Sequence, residues 1–248
     1  MRITVVGCSG TLPGPDSPCS AYLVQHDGFN LLLDAGPGSV GALQRTIGLL
    51  DLDAVVLSHL HPDHWLDMVC YTYARRYHPG GRPPPLPVWA PSGSSERLRA
   101  PFADGPPDLL QEIYQFHRLD GKPTDIGPFR LTYTRTNHPV ECYAMRVESG
   151  DASFVYSADT GESTDLVSLA RDTNLFICEA AFGVQREFPP DLHLSGRQAG
   201  QHARRADSEQ LVVTHLMPWA DKDATLHEAQ QAYDGKALLA RAGAAYEL

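Results

Sequence analysis

Ser58–Asp67, SHLHPDHWLD, follows the apolar run LDAVVL and places His59, His61, Asp63 and His64 within a few residues of one another. Polar, proton-binding side chains at the end of a buried strand need a partner. Residues two apart in an extended chain share a face, so His59 and His61 can reach one point while the chain turns into a helix beginning near Asp63. That geometry holds one metal ion and offers Asp63 and His64 to a second. Helix capping would account for Asp63 alone and leaves the three histidines unexplained.

Further candidate ligands also stand at strand ends, where a rigid scaffold fixes metal geometry. His138 closes LTYTRTNH, Asp159 closes FVYSAD and His215 closes LVVTH. Any one of them alone reads as a solvated strand terminus; in order after the first cluster they make a two-metal reading.

Around these residues the chain alternates strands and helices. ITVVG, AYLVQH, NLLLD and DAVVLS read as short strands rich in branched residues, and FRLTYTRT, CYAMRVES, SFVYSA, LFICEA and QLVVTH resume the pattern after residue 129. Helices are expected at Gly38–Leu49, His64–Tyr77, Asp165–Arg171, Ser195–Arg205 and Thr225–Tyr233. The proline-rich HPGGRPPPLPVWAPSG is expected to be loop, with a short strand near LPVWA. Two strand-rich halves with interleaved helices predict two packed sheets covered by helices, a four-layer αββα sandwich formed as one domain over residues 1–248.

Composition narrows the function. A net charge of −10 disfavours extended nucleic acid, since neutralising phosphates needs a surplus of Lys and Arg. MRITVVGCSG has no signal-peptide pattern and no apolar run reaches membrane-spanning length, so a cytoplasmic protein without membrane contact is expected. The five cysteines are scattered without a CxxC pair, which argues against disulfides and thiolate zinc and for reduced packing residues.

HxHxDH at His59–His64 followed by His138, Asp159 and His215 resembles the ligand series of the metallo-β-lactamase fold. That resemblance implies that His59, His61 and His138 bind one metal, Asp63, His64 and His215 another, and Asp159 bridges the two. The donors are all nitrogen and oxygen, which suits Zn²⁺ and also admits Mn²⁺ or Fe²⁺. A β-lactamase would carry Cys in place of Asp159, and the TNHPVECY stretch departs from the glyoxalase-type pattern. The phosphodiesterase branch is similar in GCSGT, YSADTG, EAAF and HLSGRQAG. Within it, GPDSP, GALQR, LSHLHPDH, RRYHP, PPDLHLSG and VTHLMPW resemble actinobacterial atypical class II cyclic-nucleotide phosphodiesterases over most of the chain. Ribonuclease Z is a more distant likeness, without its tRNA-gripping arm here.

The resemblance implies hydrolysis of a 3′,5′-cyclic nucleotide such as cAMP to the 5′-monophosphate. Asp63 would orient the attacking water, and His193 in DLHLSGRQAG would protonate the leaving oxygen. Leu194 separates His193 from Ser195, so Ser195 reads as a helix N-cap and His193 also fits a loop residue before it. Glu179 can hold His193 in one tautomer; a solvated strand-end carboxylate is the other reading. Phe182 and Trp219 are candidates to stack on a base, while core packing or contact with a second copy accounts for them equally, and a homodimer stays open. Trp65 is expected in the core. The GCSGTLPGPDS loop reads as a cleft wall, and Arg75, Arg76, Arg204 and Arg205 as surface charge. Other phosphoester or metabolite hydrolysis, and metal-dependent ligand binding without turnover, remain as alternatives.

Overall fold

The computed structural model describes residues 1–185, 187 and 189–248. Its strands are β1 (Arg2–Gly7), β2 (Ala21–His26), β3 (Phe29–Leu33), β4 (Ala54–Val56), β5 (Leu86–Ala90), β6 (Tyr114–Arg118) and β7 (Thr124–Ile126). They continue with β8 (Phe129–Arg135), β9 (Tyr143–Ser149), β10 (Ala152–Tyr156), β11 (Leu175–Glu179), β12 (Gln210–Thr214), β13 (Lys236–Leu239) and β14 (Ala245–Glu247). The helices are α1 (Ser39–Leu43), α2 (Pro62–Trp65), α3 (Asp67–Tyr77), α4 (Ser94–Arg99), α5 (Thr164–Leu169), α6 (Gly196–Arg205) and α7 (Lys222–Ala232).

Two seven-stranded sheets form, in the orders β14-β1-β2-β3-β4-β5-β6 and β13-β12-β11-β10-β9-β8-β7. Each combines an antiparallel meander, β1–β3 or β7–β10, with parallel strands, β3–β6 or β10–β13. The strands read as continuous apolar runs because both faces are covered. In β3, Leu31 and Leu33 point between the sheets while Leu32 packs outward with α1, α3 and α4 residues such as Leu43, Met68 and Leu98. In β11, Leu175 and Ile177 face the first sheet while Phe176 and Cys178 pack with Leu166 of α5, Ala199 of α6 and Ala229 of α7. This alternation builds the expected αββα sandwich.

Several expectations need correction. The helix expected over Gly38–Leu49 ends at Leu43. After Leu43, Arg45 and Thr46 donate their amides only three residues back, and the carboxylate of Asp51 accepts the Gly48 amide. The helix expected over His64–Tyr77 starts at Pro62 and breaks at Leu66, because the Asp67 amide donates to the Ala35 carbonyl instead of to residue 63. The last helix starts three residues early, where Asp221 caps it by accepting the Ala224 amide. β6, β7, β13 and β14 had no sequence signal. All four are sheet edges, where strands are short and only partly covered. Arg75 is not surface charge: it is buried, donates to the Pro84 carbonyl at 2.6 Å and lies over the Tyr71 ring. Cys70 is exposed rather than packed, whereas Cys19, Cys142 and Cys178 are buried. Among the described residues, no helix is long and apolar enough to cross a membrane.

Candidate metal centre

The strands deliver polar residues to one edge of the sandwich. β3 and β4 run parallel and end before Asp34 and His59, while of the parallel neighbours β10 ends three residues before Asp159, β11 ends at Glu179 and β12 ends just before His215. Carboxyl ends of parallel strands are where chains of this class place their ligands. After His59 the chain turns at His61, whose extended backbone precedes α2 with Pro62 in its first turn, a position that needs no amide hydrogen. His215 has φ 57°, Asp34 φ 58° and Ala158 φ 50°, left-handed conformations that side chains adopt only where the surroundings impose them.

All seven sequence-predicted metal ligands meet. His59, His61, His138 and Asp159 form one group, Asp63, His64 and His215 a second, and within each the possible ligand atoms lie within 4.8 Å of one another. Asp159 reaches both: its Oδ2 is 3.6 Å from His59 Nε2, and its Oδ1 is 3.2 Å from His64 Nε2 and 3.4 Å from His215 Nε2. Asp63 Oδ2 lies 3.6 Å from His64 Nε2 and 3.7 Å from His215 Nε2. His138 Nε2 faces His61 Nδ1 at 3.1 Å.

Hydrogen bonds behind the rings turn their free nitrogens inward. Asp34, fully buried, accepts from Ser58 Oγ, the Ser58 amide, Tyr156 Oη and, at 2.8 Å, His64 Nδ1. Because the Ser58 hydroxyl donates to Asp34, its oxygen is left to accept from His59 Nδ1 at 3.0 Å. His138 Nδ1 donates to the Leu192 carbonyl at 2.9 Å, and His215 Nδ1 pairs with Ser20 Oγ at 2.8 Å. The Nε2 atoms of His59 and His138 therefore carry lone pairs toward the centre, and that of His64 does so once its ring is neutral. His59 Nε2, His64 Nε2 and Asp159 Oδ1 are buried without a hydrogen-bond partner, a costly arrangement that a divalent cation satisfies. The donor set thus fits a divalent metal centre.

Charge in the bare protein agrees. Burial, reinforced by neighbouring imidazoles, pushes His59 and His61 below the usual histidine pKa. Burial also lowers His138 and His215, against the pull of Asp159. Burial opposes charge on His64 too, but Asp159 and Asp34 outweigh it and hold that pKa well above normal. Burial likewise disfavours an ionised Asp159, yet His215, His64 and His59 overcome it and keep the carboxyl well below the usual range. A cation in this position would displace the His64 proton, since ligation requires the neutral ring.

His193 adjoins the centre, its ring 5.6 Å from His138 and 5.8 Å from His215. Its Nδ1 donates at 2.8 Å to Oε1 of the buried Glu179. That carboxylate also accepts the Thr160 amide on Oε1 and the Ala181 and Leu194 amides on Oε2. Burial works against a charged His193, but Glu179 more than compensates, by charge and hydrogen bond, and raises its pKa to about 9. Of the two sequence readings of Glu179, the structure shows the one that orients His193. Ser195 is the N-cap of α6 in a reciprocal capping box with Gln198, and Leu194 is core.

A family model described as a beta-lactamase superfamily domain matches residues 29–216. The chain belongs to this superfamily. YhfI of Bacillus subtilis is 30% identical over 100% of both sequences, and its crystal structure, a metallo-beta-lactamase fold protein, has a TM-score of 0.88 covering 99% of each chain. Rv1339 of Mycobacterium tuberculosis is 39% identical over 95% of this chain and 88% of its own length. Ribonuclease Z of Mycobacterium bovis is 28% identical over 88% of this chain and 86% of its own. With the convergent donors, these likenesses make the protein a metallo-hydrolase of the metallo-β-lactamase fold.

Sequence reasoning missed the groups that orient the donors of this metallo-β-lactamase-fold centre: Asp34, Ser20, Ser58 and Tyr156. Asp34 left the only signal, an acidic residue closing NLLLD. Trp65 is core, its Nε1 donating to the Leu60 carbonyl. Phe182 is buried with its ring perpendicular to that of His193, centroids 5.3 Å apart, whereas Trp219 is 67% exposed. The cleft-wall loop touches the centre through the Thr11 amide, which donates to Asp63 Oδ2 at 2.9 Å.

Proposed function

We propose that the protein is a dinuclear phosphodiesterase that hydrolyses a 3′,5′-cyclic nucleotide such as cAMP to the 5′-monophosphate. The observation that carries this reading is a pairing. Asp159 turns one oxygen toward His59 and the other toward His64 and His215, and a hydrogen-bonded His193–Glu179 pair stands beside it. His59, His61 and His138 would hold one ion, Asp63, His64 and His215 the other, and Asp159 both. Zn²⁺ suits these donors, with Mn²⁺ or Fe²⁺ also compatible. Bound there, divalent ions supply Lewis-acid chemistry, lowering the pKa of water and neutralising phosphate oxygens.

The chain's own residues divide the proton work. Asp63, its side chain 12% exposed against 3% for Asp159, is the carboxylate that solvent reaches, and it orients the attacking water. Its Oδ2 is fixed by the Thr11 amide. His193, held by Glu179 at Nδ1, gives the Nε2 proton to the departing ribose 3′-oxygen. With that oxygen protonated, the phosphate stays on the 5′-oxygen.

Ribonuclease Z-like cleavage is the second reading, favoured by the Mycobacterium bovis relative; net charge −10 weighs against gripping a long RNA. Product analysis of the metal-loaded protein with cAMP and a precursor tRNA decides between them. Conversion of cAMP to 5′-AMP is expected. Trimming of the tRNA without turnover of any cyclic nucleotide would replace this reading with the ribonuclease.

A further inference from the structure

Six large apolar side chains are exposed among the described residues: Leu12, Leu66, Tyr73, Tyr77, Val140 and Trp219. Tyr73 and Tyr77 stack on each other along α3. The other four follow candidate ligands or their supports closely in sequence. Leu12 succeeds Thr11, whose amide bonds Asp63; Leu66, Val140 and Trp219 come shortly after His64, His138 and His215. Isolated exposed apolar residues need no explanation, but Leu12 and Trp219 stand on the loops that carry Thr11, which bonds Asp63, and the candidate ligand His215, and this points to an apolar part of whatever binds there.

Leu12 and Trp219 stand on two loops that are tied together. The Gly10 amide donates to the Leu216 carbonyl at 3.0 Å, and Ser9 bridges to Leu216. A side chain at Gly10 would come within 2.4 Å of the His215 carbonyl oxygen, so only glycine permits this approach. The backbone around Leu12 is locked as well: its amide donates to Gly10 O and its carbonyl accepts from Ser9 Oγ, both at 2.7 Å. Thr11, β-branched, is held at φ 66° in the left-handed region, a strained conformation in a segment that also fixes Asp63. The loop is thus a rigid mount that carries Leu12 next to Thr11, whose amide holds the reacting carboxylate. Phe182, 7% exposed, offers little surface by comparison.

We infer that Leu12 and Trp219 form the specificity subsite for the substrate's aromatic heterocycle, Trp219 stacking on the base and Leu12 packing against it. This rests on the phosphodiesterase reading for the identity of the substrate, but the subsite has its own readout. Metal-loaded protein is titrated with 5′-AMP and with ribose 5-phosphate, which differ by the base, each measured calorimetrically and by quenching of tryptophan emission. Trp219 is the exposed tryptophan beside the buried Trp65 and the half-buried Trp89.

Wild type is expected to bind 5′-AMP roughly 5- to 100-fold more tightly than ribose 5-phosphate, the factor brought by one stacking contact. Trp219→Ala and Leu12→Ser should each shrink that ratio without changing affinity for ribose 5-phosphate, Trp219→Phe should restore most of it, and Tyr77→Ser should leave it intact. Equal wild-type affinities for the two ligands, or variants that weaken both alike, would overturn the subsite. Failure to hydrolyse any cyclic nucleotide with the 5′-AMP preference retained would instead sink the reaction while supporting the subsite.

Discussion

Replacing Glu179 by Gln tests the proton supply to the leaving group. Against burial, Glu179 with a smaller pull from Asp159 holds His193 at about 9, above the ordinary 6.5, a net of roughly 3 kcal/mol in favour of the protonated ring. A raised pKa means that the acid form is present at low pH and is lost as pH rises through about 9. The substitution keeps the shape but removes the charge, and burial, which works against a charged ring, then takes His193 to or below about 6.5. At pH 8 the protonated fraction falls from about nine-tenths to about 3%, so hydrolysis of a cyclic nucleotide should drop roughly 30-fold. Bound cations lower the pKa in both proteins, so the quantity read is the difference between them. The assay is kcat/KM against pH for cAMP and for bis(p-nitrophenyl) phosphate, whose leaving group needs little protonation. The alkaline limb for cAMP should move to lower pH in Glu179→Gln, with the nitrophenyl ester nearly unaffected. An amide side chain accepts fewer of the three backbone amides held by Glu179, so the variant is assayed below its melting temperature, with the His193 pKa followed by NMR. An unchanged alkaline limb with a lowered His193 pKa would refute the role of His193 as the acid.

Asp159→Ala should cost both groups of donors their metal and reduce turnover more than about 100-fold, while Cys178→Ala, a core change, leaves metal content intact. Elemental analysis and activity check both; equal results would remove Asp159 from the centre. Asp34→Asn should weaken metal binding by about 10–100-fold in chelator competition, because the side chain that aligns His64 and Ser58 then has only one acceptor oxygen. In urea unfolding, Arg75→Ala should cost about 1–3 kcal/mol by removing a buried side chain that packs on Tyr71 and bonds the Pro84 carbonyl. Arg204→Ala, which removes only a solvent-exposed pair with Asp234, should stay within about 1 kcal/mol.

The sequence by itself determined what is encoded locally. Apolar runs marked the central strands because those strands are covered on both faces, as Leu31, Leu32 and Leu33 illustrate. Polar residues closing such runs marked the edge where His59, Asp159, Glu179 and His215 emerge, and Ser195 announced α6 by its own capping chemistry. Tertiary structure alone decided what depends on distant partners. Asp34 is joined to Ser58, His64 and Tyr156 across separations of 24, 30 and 122 residues, and no local pattern records such hydrogen bonds. Arg75 looks like any surface arginine until Pro84 and Tyr71 fold over it. The four edge strands are too short and too exposed to carry a period, and they exist because a neighbouring strand offers unpaired backbone groups. The break at Leu66 has the same origin: the Ala35 carbonyl, distant in sequence, takes the amide hydrogen that a continuous helix would use.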